Sequence, residues 1–289
     1  MSLALVLVLL VAAAVHAAWN LLLKRVPERQ VIVWWALIVS TFVMLPLALS
    51  RPGLNQAGWR FALLSGLLEV LYYTILMLAY GLGEFSLVYP IARGAAPVLL
   101  ALWTALFLGE VPRPLGMAGI GLIVTGLVTV GSAGWRSASG GAVPRRSGFA
   151  PGMGLALLVA LLISIYSTLD GAAVKTNDPA VYSATIYALT AAILAPVLFR
   201  RHGILGVAAV WKTYWKRAVA VGVLQSFGYL LVLAVYARAR VSYAGAIRES
   251  SVVLGALAGW LWLGEEFGPR RVIGAVVIFL GVLTIALAR

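Results

Sequence analysis

Six ionisable side chains stand inside strongly apolar stretches of the chain: His16, Glu69, Arg93, Asp170, Arg248 and Glu249. A charge at the centre of a bilayer costs about 2.5–3.5 kcal/mol on insertion scales, so each is expected to face a partner or a polar cavity and not lipid. A carboxyl group held there can take up and return a proton, which makes Glu69, Asp170 and Glu249 the candidates for proton coupling. Arg93 and Arg248 carry planar, forked donors suited to a carboxylate or phosphonate, whereas the three acids suit an amine. A mixed set of this kind fits a zwitterion such as an amino acid, or a small amine.

The neighbours of these residues extend the set. His16 and Asn20 are four apart and share one helical face, with Trp19 at its border; Tyr166 and Asp170 repeat that spacing. Hydrogen bonding between helices is the other use of such residues, and Asp170 stands near the end of its apolar run, where an interfacial place is the alternative. Tyr72, Tyr73 and Tyr80 follow Glu69, and Tyr73 lies one turn from it. Tyr89-Pro90-Ile91-Ala92-Arg93 is followed by Pro97. Prolines free backbone carbonyls and kink a helix, a device that lines sites in transporters, although Arg93 could also snorkel to an interface. Arg248-Glu249-Ser250-Ser251 is the densest polar cluster. Successive helical residues point about 100° apart, so Arg248 and Glu249 are expected to find partners elsewhere and not each other. The substrate-binding candidates are therefore His16, Trp19, Asn20, Glu69, Tyr73, Tyr89, Arg93, Tyr166, Asp170, Tyr229, Arg248, Glu249 and Ser250.

Composition dictates what must hold them. The 289 residues are 63% hydrophobic and only 11% charged, with a mean hydropathy of +1.02, far below the roughly 25% charged residues of soluble domains. Ten apolar segments can be marked, over residues 3–22, 31–49, 60–81, 86–108, 115–131, 151–172, 180–199, 217–237, 242–263 and 271–288. Their apolar character runs all round, which reads as membrane helices and not barrel strands. The first segment has no basic stretch before it and reads as a retained helix, not a signal peptide. Cysteine is absent and there are two histidines and two aspartates, so no thiol chemistry, metal centre or other cofactor is expected. No Gly-rich Lys loop for ATP is present. The net charge of +13 lies mostly at segment ends, which suits lipid head groups; nucleic acid is not an expected partner. The basic stretch Arg200–Arg217, with Trp211, Tyr214 and Trp215, reads as a loop lying at head-group level.

The chain repeats itself. An offset of 155 residues aligns Leu108-Gly109-Glu110 with Leu263-Gly264-Glu265, Arg93 with Arg248, Pro114 with Pro269, Gly119 with Gly274 and Gly126 with Gly281. An offset of 156 aligns Glu69 with Gln225, Tyr73 with Tyr229 and Tyr80 with Tyr236, and one of 150 aligns Asn20 with Asp170. The units are expected at 1–131 and 151–289, joined by a Ser-, Gly- and Pro-containing linker at 132–150. Five helices is an odd number, so the second unit must enter the membrane inverted, as in carriers that alternate about a midplane site. Gly255 with Gly259, and the glycines of the fifth and tenth segments, read as helix-packing surfaces. Thirteen Lys and Arg fall on the side of the linker and seven on the side of the termini, which by the positive-inside rule puts the termini outside.

His16-Ala17-Ala18-Trp19-Asn20 with Lys24, Ser86-Leu87-Val88-Tyr89-Pro90-Ile91-Ala92-Arg93-Gly94, Arg248-Glu249-Ser250-Ser251 and Leu263-Gly264-Glu265-Glu266 together resemble the EamA family of the drug/metabolite transporter superfamily. The Arg-Gly and Arg-Glu-Ser-Ser stretches look like a branch of bacterial permeases associated with phosphonate metabolism. The resemblance implies an all-α integral membrane protein of ten helices in two inverted repeats, with a central cavity lined by helices 1, 3, 4, 6, 8 and 9. It also implies a permease without ATP, often an exporter, in a bacterial inner membrane, with cytoplasmic termini, against the charge count. The expected activity is secondary transport of a small polar metabolite by alternating access, with proton coupling. The alternatives are a lipid flippase or a membrane-embedded lipid-modifying enzyme, for which no nucleophile or metal motif is present. The expected partners are the metabolite and the bilayer; monomer and homodimer both remain open.

Overall fold

The computed structural model describes residues 1–24, 26–82, 85–137, 149–254 and 269–288. Every regular element among them is a helix: α1 (Leu3–Lys24), α2 (Arg29–Leu49), α3 (Gln56–Leu82), α4 (Phe85–Leu108), α5 (Pro114–Ser137), α6 (Phe149–Ala173), α7 (Pro179–Tyr236), α8 (Val241–Arg248) and α9 (Pro269–Leu287). Among the described residues five helices are long and apolar enough to cross a membrane, and the apolar stretches 95–108, 114–130 and 272–287 are shorter. The bundle is inside-out relative to a soluble protein. Phe42, Leu67, Leu71, Phe107 and Phe279 face outward, while Glu69, Arg93, Asp170, Arg248 and Glu249 are buried. That distribution makes sense only where the surroundings are hydrocarbon.

Two expected segments and the basic stretch between them form α7. A straight 58-residue helix would run roughly 87 Å, far more than a bilayer. The backbone breaks at Gly203 (φ 67°, ψ 162°) and at Tyr214 (φ −121°, ψ 16°). Gly203 takes a left-handed φ that a side chain would strain. The legs 179–202 and 215–236 fold back on each other: the Tyr187 hydroxyl donates to the Gln225 carbonyl at 3.2 Å. The basic stretch is thus largely helical, over 204–213, and not a loop; Asp178 starts the element by accepting from the Ala180 amide, with Pro179 at the first turn. α2 packs on both legs. Trp34 Nε1 donates to the Ala191 carbonyl at 2.8 Å and Ser40 Oγ to the Gly222 carbonyl at 2.9 Å.

The ninth expected segment is not continuous. α8 stops at Arg248, and the chain turns through Glu249 and Ser250 before a short helical stretch at 251–254. The Glu249 and Ser250 amides donate three residues back, to Ala246 and Ile247. Residues 255–268, including Gly255, Gly259 and Leu263-Gly264-Glu265-Glu266, lie outside the described residues, as do 138–148 of the expected linker.

α5 and α9 run antiparallel with almost no side chain between them. A Cβ on Gly119 would lie 2.9 Å from the Gly281 carbonyl, and one on Gly126 would lie 2.7 Å from that of Gly274. Under the 155-residue offset the first contact becomes the second. Ile285 against Gly119 likewise becomes Val130 against Gly274, and Ile278 against Gly126 becomes Ile123 against Gly281. Small residues let backbones approach this closely in membranes, where helices cannot rely on the hydrophobic effect.

The end of the bundle that carries both chain termini is fastened. The Met1 amine donates to the Ala288 carbonyl at 3.4 Å. Glu110, after α4, pairs with Lys175 at 3.2 Å and accepts from the Val241 amide at 2.6 Å at the start of α8. Arg240 donates to the Val111 carbonyl at 2.6 Å, and the Arg113 amide donates to the Tyr243 hydroxyl at 2.9 Å. Asn177 accepts from the Asn55 amide at 2.9 Å beside them.

Candidate functional site

A small cavity lies between α1, α3, α4, α6, α7 and α8. Its wall carries His16, Trp19, Glu69, Tyr73, Arg93, Tyr166, Tyr229 and Arg248 from the candidate set, joined by Tyr72, Tyr187 and Gln225. A smaller pocket beside it is lined by Asn20, Tyr72, Leu76, Ala92, Arg93, Val159 and Ile163. Arg93 and Tyr72 therefore form the partition between the two.

One wall of the cavity is cationic. Arg93 Nη1 donates to both Glu249 oxygens, at 3.3 and 3.1 Å, and Arg248 Nη2 donates to Glu249 Oε1 at 3.3 Å. Arg93 Nη2 also lies 3.0 Å from His16 Nε2. A guanidinium only donates, so this imidazole nitrogen accepts and the ring carries its proton on Nδ1. The His16 ring stands edge-on to Trp19 at 4.8 Å. Arg248 and Glu249 do pair, against the expectation from the 100° spacing: Glu249 caps α8 in helical geometry, and the long arginine side chain reaches across to it. Glu249, 1% exposed, stands behind the two arginines and outside the cavity wall. Ser250 is buried near it; its hydroxyl has no hydrogen-bond partner among the described residues and does not line the cavity.

Glu69 lines the same cavity. Its Oε2 accepts from the Thr190 hydroxyl at 3.0 Å. Gln225, which the repeat aligns with Glu69, also lines the cavity and leaves its side-chain oxygen unbonded among the described residues. Asp170 is fully buried within the bundle, three residues before the end of α6. It does not reach the cavity wall. It accepts from Tyr182 at 2.9 Å and from Tyr229, so it acts on the cavity by fixing Tyr229. Asn20 turns its amide back to the His16 carbonyl at 2.8 Å. The side chain of Tyr89 lies outside the described residues, as does that of Lys24.

Replacing Asp170 by Asn removes the charge that both tyrosines donate to. A hydrogen bond to a charged group is worth about 1.5–3 kcal/mol, so Asp170→Asn is expected to raise the half-saturation concentration for a transported solute on the order of tenfold. Tyr229→Phe is expected to do the same. Labelled counterflow in liposomes measures both; an unchanged half-saturation in both variants would remove Tyr229 from the site.

Tyr187 and Thr190 escaped the sequence reading. They lie on the first leg of α7, whose apolar stretch 180–199 holds no Asp, Glu, His, Lys or Arg to draw attention, and packing against α3 brings Thr190 to Glu69. Gln225 carried a signal in its alignment with Glu69, and Tyr72 in its place beside Tyr73.

Comparison with known proteins places this architecture. The model of the EamA-like transporter family matches residues 3–132 and again 150–287. The chain belongs to the EamA family. This EamA protein is thus a multi-pass membrane protein of a family of transporters in the drug/metabolite transporter superfamily, built from two copies of the family unit. A solved structure titled only "Crystal structure of protein" is similar at 20% identity over 99% of this chain and 98% of its own, with a TM-score of 0.76. At that identity it speaks for the fold of the EamA protein and nothing finer. No curated protein matches the chain.

Proposed function

We propose that this EamA protein is a secondary-active permease of the bacterial inner membrane that moves a small zwitterion such as an amino acid, or a small amine, by alternating access coupled to protons. The observation that carries this reading is that side chains of both charge signs line one cavity. Arg93 and Arg248 share a single carboxylate, and Glu69 lines the same cavity. A solute with an anionic and a cationic end would find a partner for each there, orienting itself without a cofactor. Tyr72, Tyr73, Tyr166 and Tyr229 in the same lining offer both ring faces and hydroxyls. The antiparallel seam of α5 and α9, whose contacts exchange under the repeat offset, supports two inverted units at 1–131 and 151–289. The fastened terminal end supports a state closed on that side. Export is the direction in keeping with the family.

The test uses purified protein in liposomes with a trapped pH dye, offered amino acids, amines, phosphonates and sugars one at a time. A zwitterion is expected to give a saturable pH change. Glu69→Gln is expected to abolish the pH change at every solute concentration while labelled counterflow persists with a raised half-saturation, because exchange needs no net proton movement and the variant loses only the charge that meets the solute's cationic end. A full pH signal in Glu69→Gln would take the proton away from Glu69. Saturable transport of sugars alone would overturn the zwitterion.

A further inference from the structure

The turn of α7 carries a second kind of chemistry. Arg200, Arg201, Lys212, Lys216 and Arg217 all point away from the bundle. The whole of α7, from Pro179 to Tyr236, contains no acidic residue. Across from the turn, Glu28 lies 4.0 Å from His202. Lys216 rests over the Trp215 ring at 5.7 Å and Arg217 over Tyr214 at 5.7 Å. Those contacts orient the two cations, and neither forms an ion pair among the described residues.

The segment 204–213 is set off between the breaks at Gly203 and Tyr214. One side of it is pinned to the protein: Val207 is buried, its carbonyl accepts from Trp35 Nε1 at 3.1 Å, and Trp211 packs on Trp35 at 4.7 Å between centroids. Its other side offers Ile204 and Leu205, 71% and 86% exposed, with Trp215 close by in sequence. Cations, exposed aliphatic side chains and a rigid anchor occur together. A free anion in water would use the first of these features and waste the second. A lipid uses both, with its phosphate among the cations and its acyl chains against Ile204 and Leu205.

We infer that the turn of α7 is a binding site for anionic phospholipid in the leaflet opposite the chain termini. The site is placed to matter, because the second leg of α7 carries Gln225 and Tyr229 into the cavity. A lipid held at the turn fixes the end of that leg. The binding itself does not depend on the transport reading, and its readout is separate from transport.

The test follows thermal unfolding of the full chain in zwitterionic detergent while short-chain phosphatidylglycerol or short-chain phosphatidylcholine is added. A ligand that binds the folded protein raises the unfolding midpoint, by an amount that grows with the logarithm of its concentration over its dissociation constant. Phosphatidylglycerol is expected to raise the midpoint and phosphatidylcholine to leave it. In Arg200→Gln/Arg201→Gln/Lys212→Gln/Lys216→Gln the same rise is expected to need at least roughly tenfold more phosphatidylglycerol, since each cation contributes several-fold. Arg60→Gln/Arg238→Gln, which removes charge from the terminal end, is expected to behave as the parent. An equal loss in both variants would show a general charge effect and overturn the site. So would equal rises with the two lipids. A rise of the same size with inorganic phosphate alone would make it a site for a free anion and overturn the lipid assignment. Loss of folding in the fourfold variant is met by Lys212→Gln/Lys216→Gln, for which several-fold weakening is expected and unchanged affinity overturns the inference.

Discussion

Glu249→Ala is expected to lower the unfolding free energy by about 3–5 kcal/mol, the largest loss of any single substitution in the cavity wall or behind it. The glutamate is 1% exposed and is the carboxylate shared by Arg93 and Arg248. Its removal leaves two guanidinium groups facing each other in a low-dielectric interior, which is worse than losing one partner of an isolated pair. Replacing all three members tells a different story. Arg93→Met/Arg248→Met/Glu249→Leu removes every buried charge of the cluster, and apolar replacement of buried ionic clusters is often neutral or stabilising by about 1–4 kcal/mol. The triple variant is therefore expected to regain most of the stability that Glu249→Ala loses, yet to transport nothing. Unfolding in detergent with transport in liposomes separates the outcomes. A triple variant that unfolds as easily as Glu249→Ala would make the cluster structural; one that transports normally would end its role in binding.

Gly126→Leu is expected to destabilise the bundle next most. A Cβ there meets the Gly274 carbonyl at 2.7 Å, and backbone cannot rotate away as a side chain can. Forcing atoms into a filled seam costs typically about 1–3 kcal/mol, and here the whole of α9 must shift. The seam also predicts non-additivity. Gly126→Ala and Gly274→Ala press on each other's backbone, at 2.7 and 2.8 Å, so once one has parted the helices the second should add little. Gly121→Ala is the control. Nothing lies within 4 Å of its Cβ position, and exchanging glycine for alanine in a helix is expected to gain up to about 1 kcal/mol. If Gly121→Ala and Gly126→Ala unfold alike, the close approach of α5 and α9 is not what holds them.

The polar residues of the cavity were legible because a membrane gives them nowhere else to go. His16, Glu69, Arg93 and Arg248 each interrupt apolar sequence, and each lines one cavity. The repeat was legible because arginines 155 residues apart in apolar surroundings do not arise from the background of leucine and alanine. What escaped depends on backbone breaks. The turn at Glu249 and Ser250 carries no proline or glycine, so the stretch read as continuous helix and the pairing of Arg248 with Glu249 was wrongly set aside. The fold-back of α7 reads from sequence as a loop because basic residues crowd it, and Tyr187 carries no signal within the apolar stretch 180–199. Asp170 was read as part of the cavity wall because its spacing from Tyr166 matches that of Asn20 from His16. Its hydrogen bonds to Tyr182, across the turn between α6 and α7, turn it inward instead.

The seam of α5 and α9 has one more consequence. A contact that maps onto itself under the repeat is isologous: the surface that α5 offers to α9 is also the surface a second α5 would accept. In a solitary first unit, Gly119 of one copy would meet Gly126 of another, with Ile123 and Val130 filling the same notches that Ile278 and Ile285 fill now. The fused chain thus carries within itself the interface of a symmetric dimer, and the link between the halves serves to make a bimolecular encounter unimolecular.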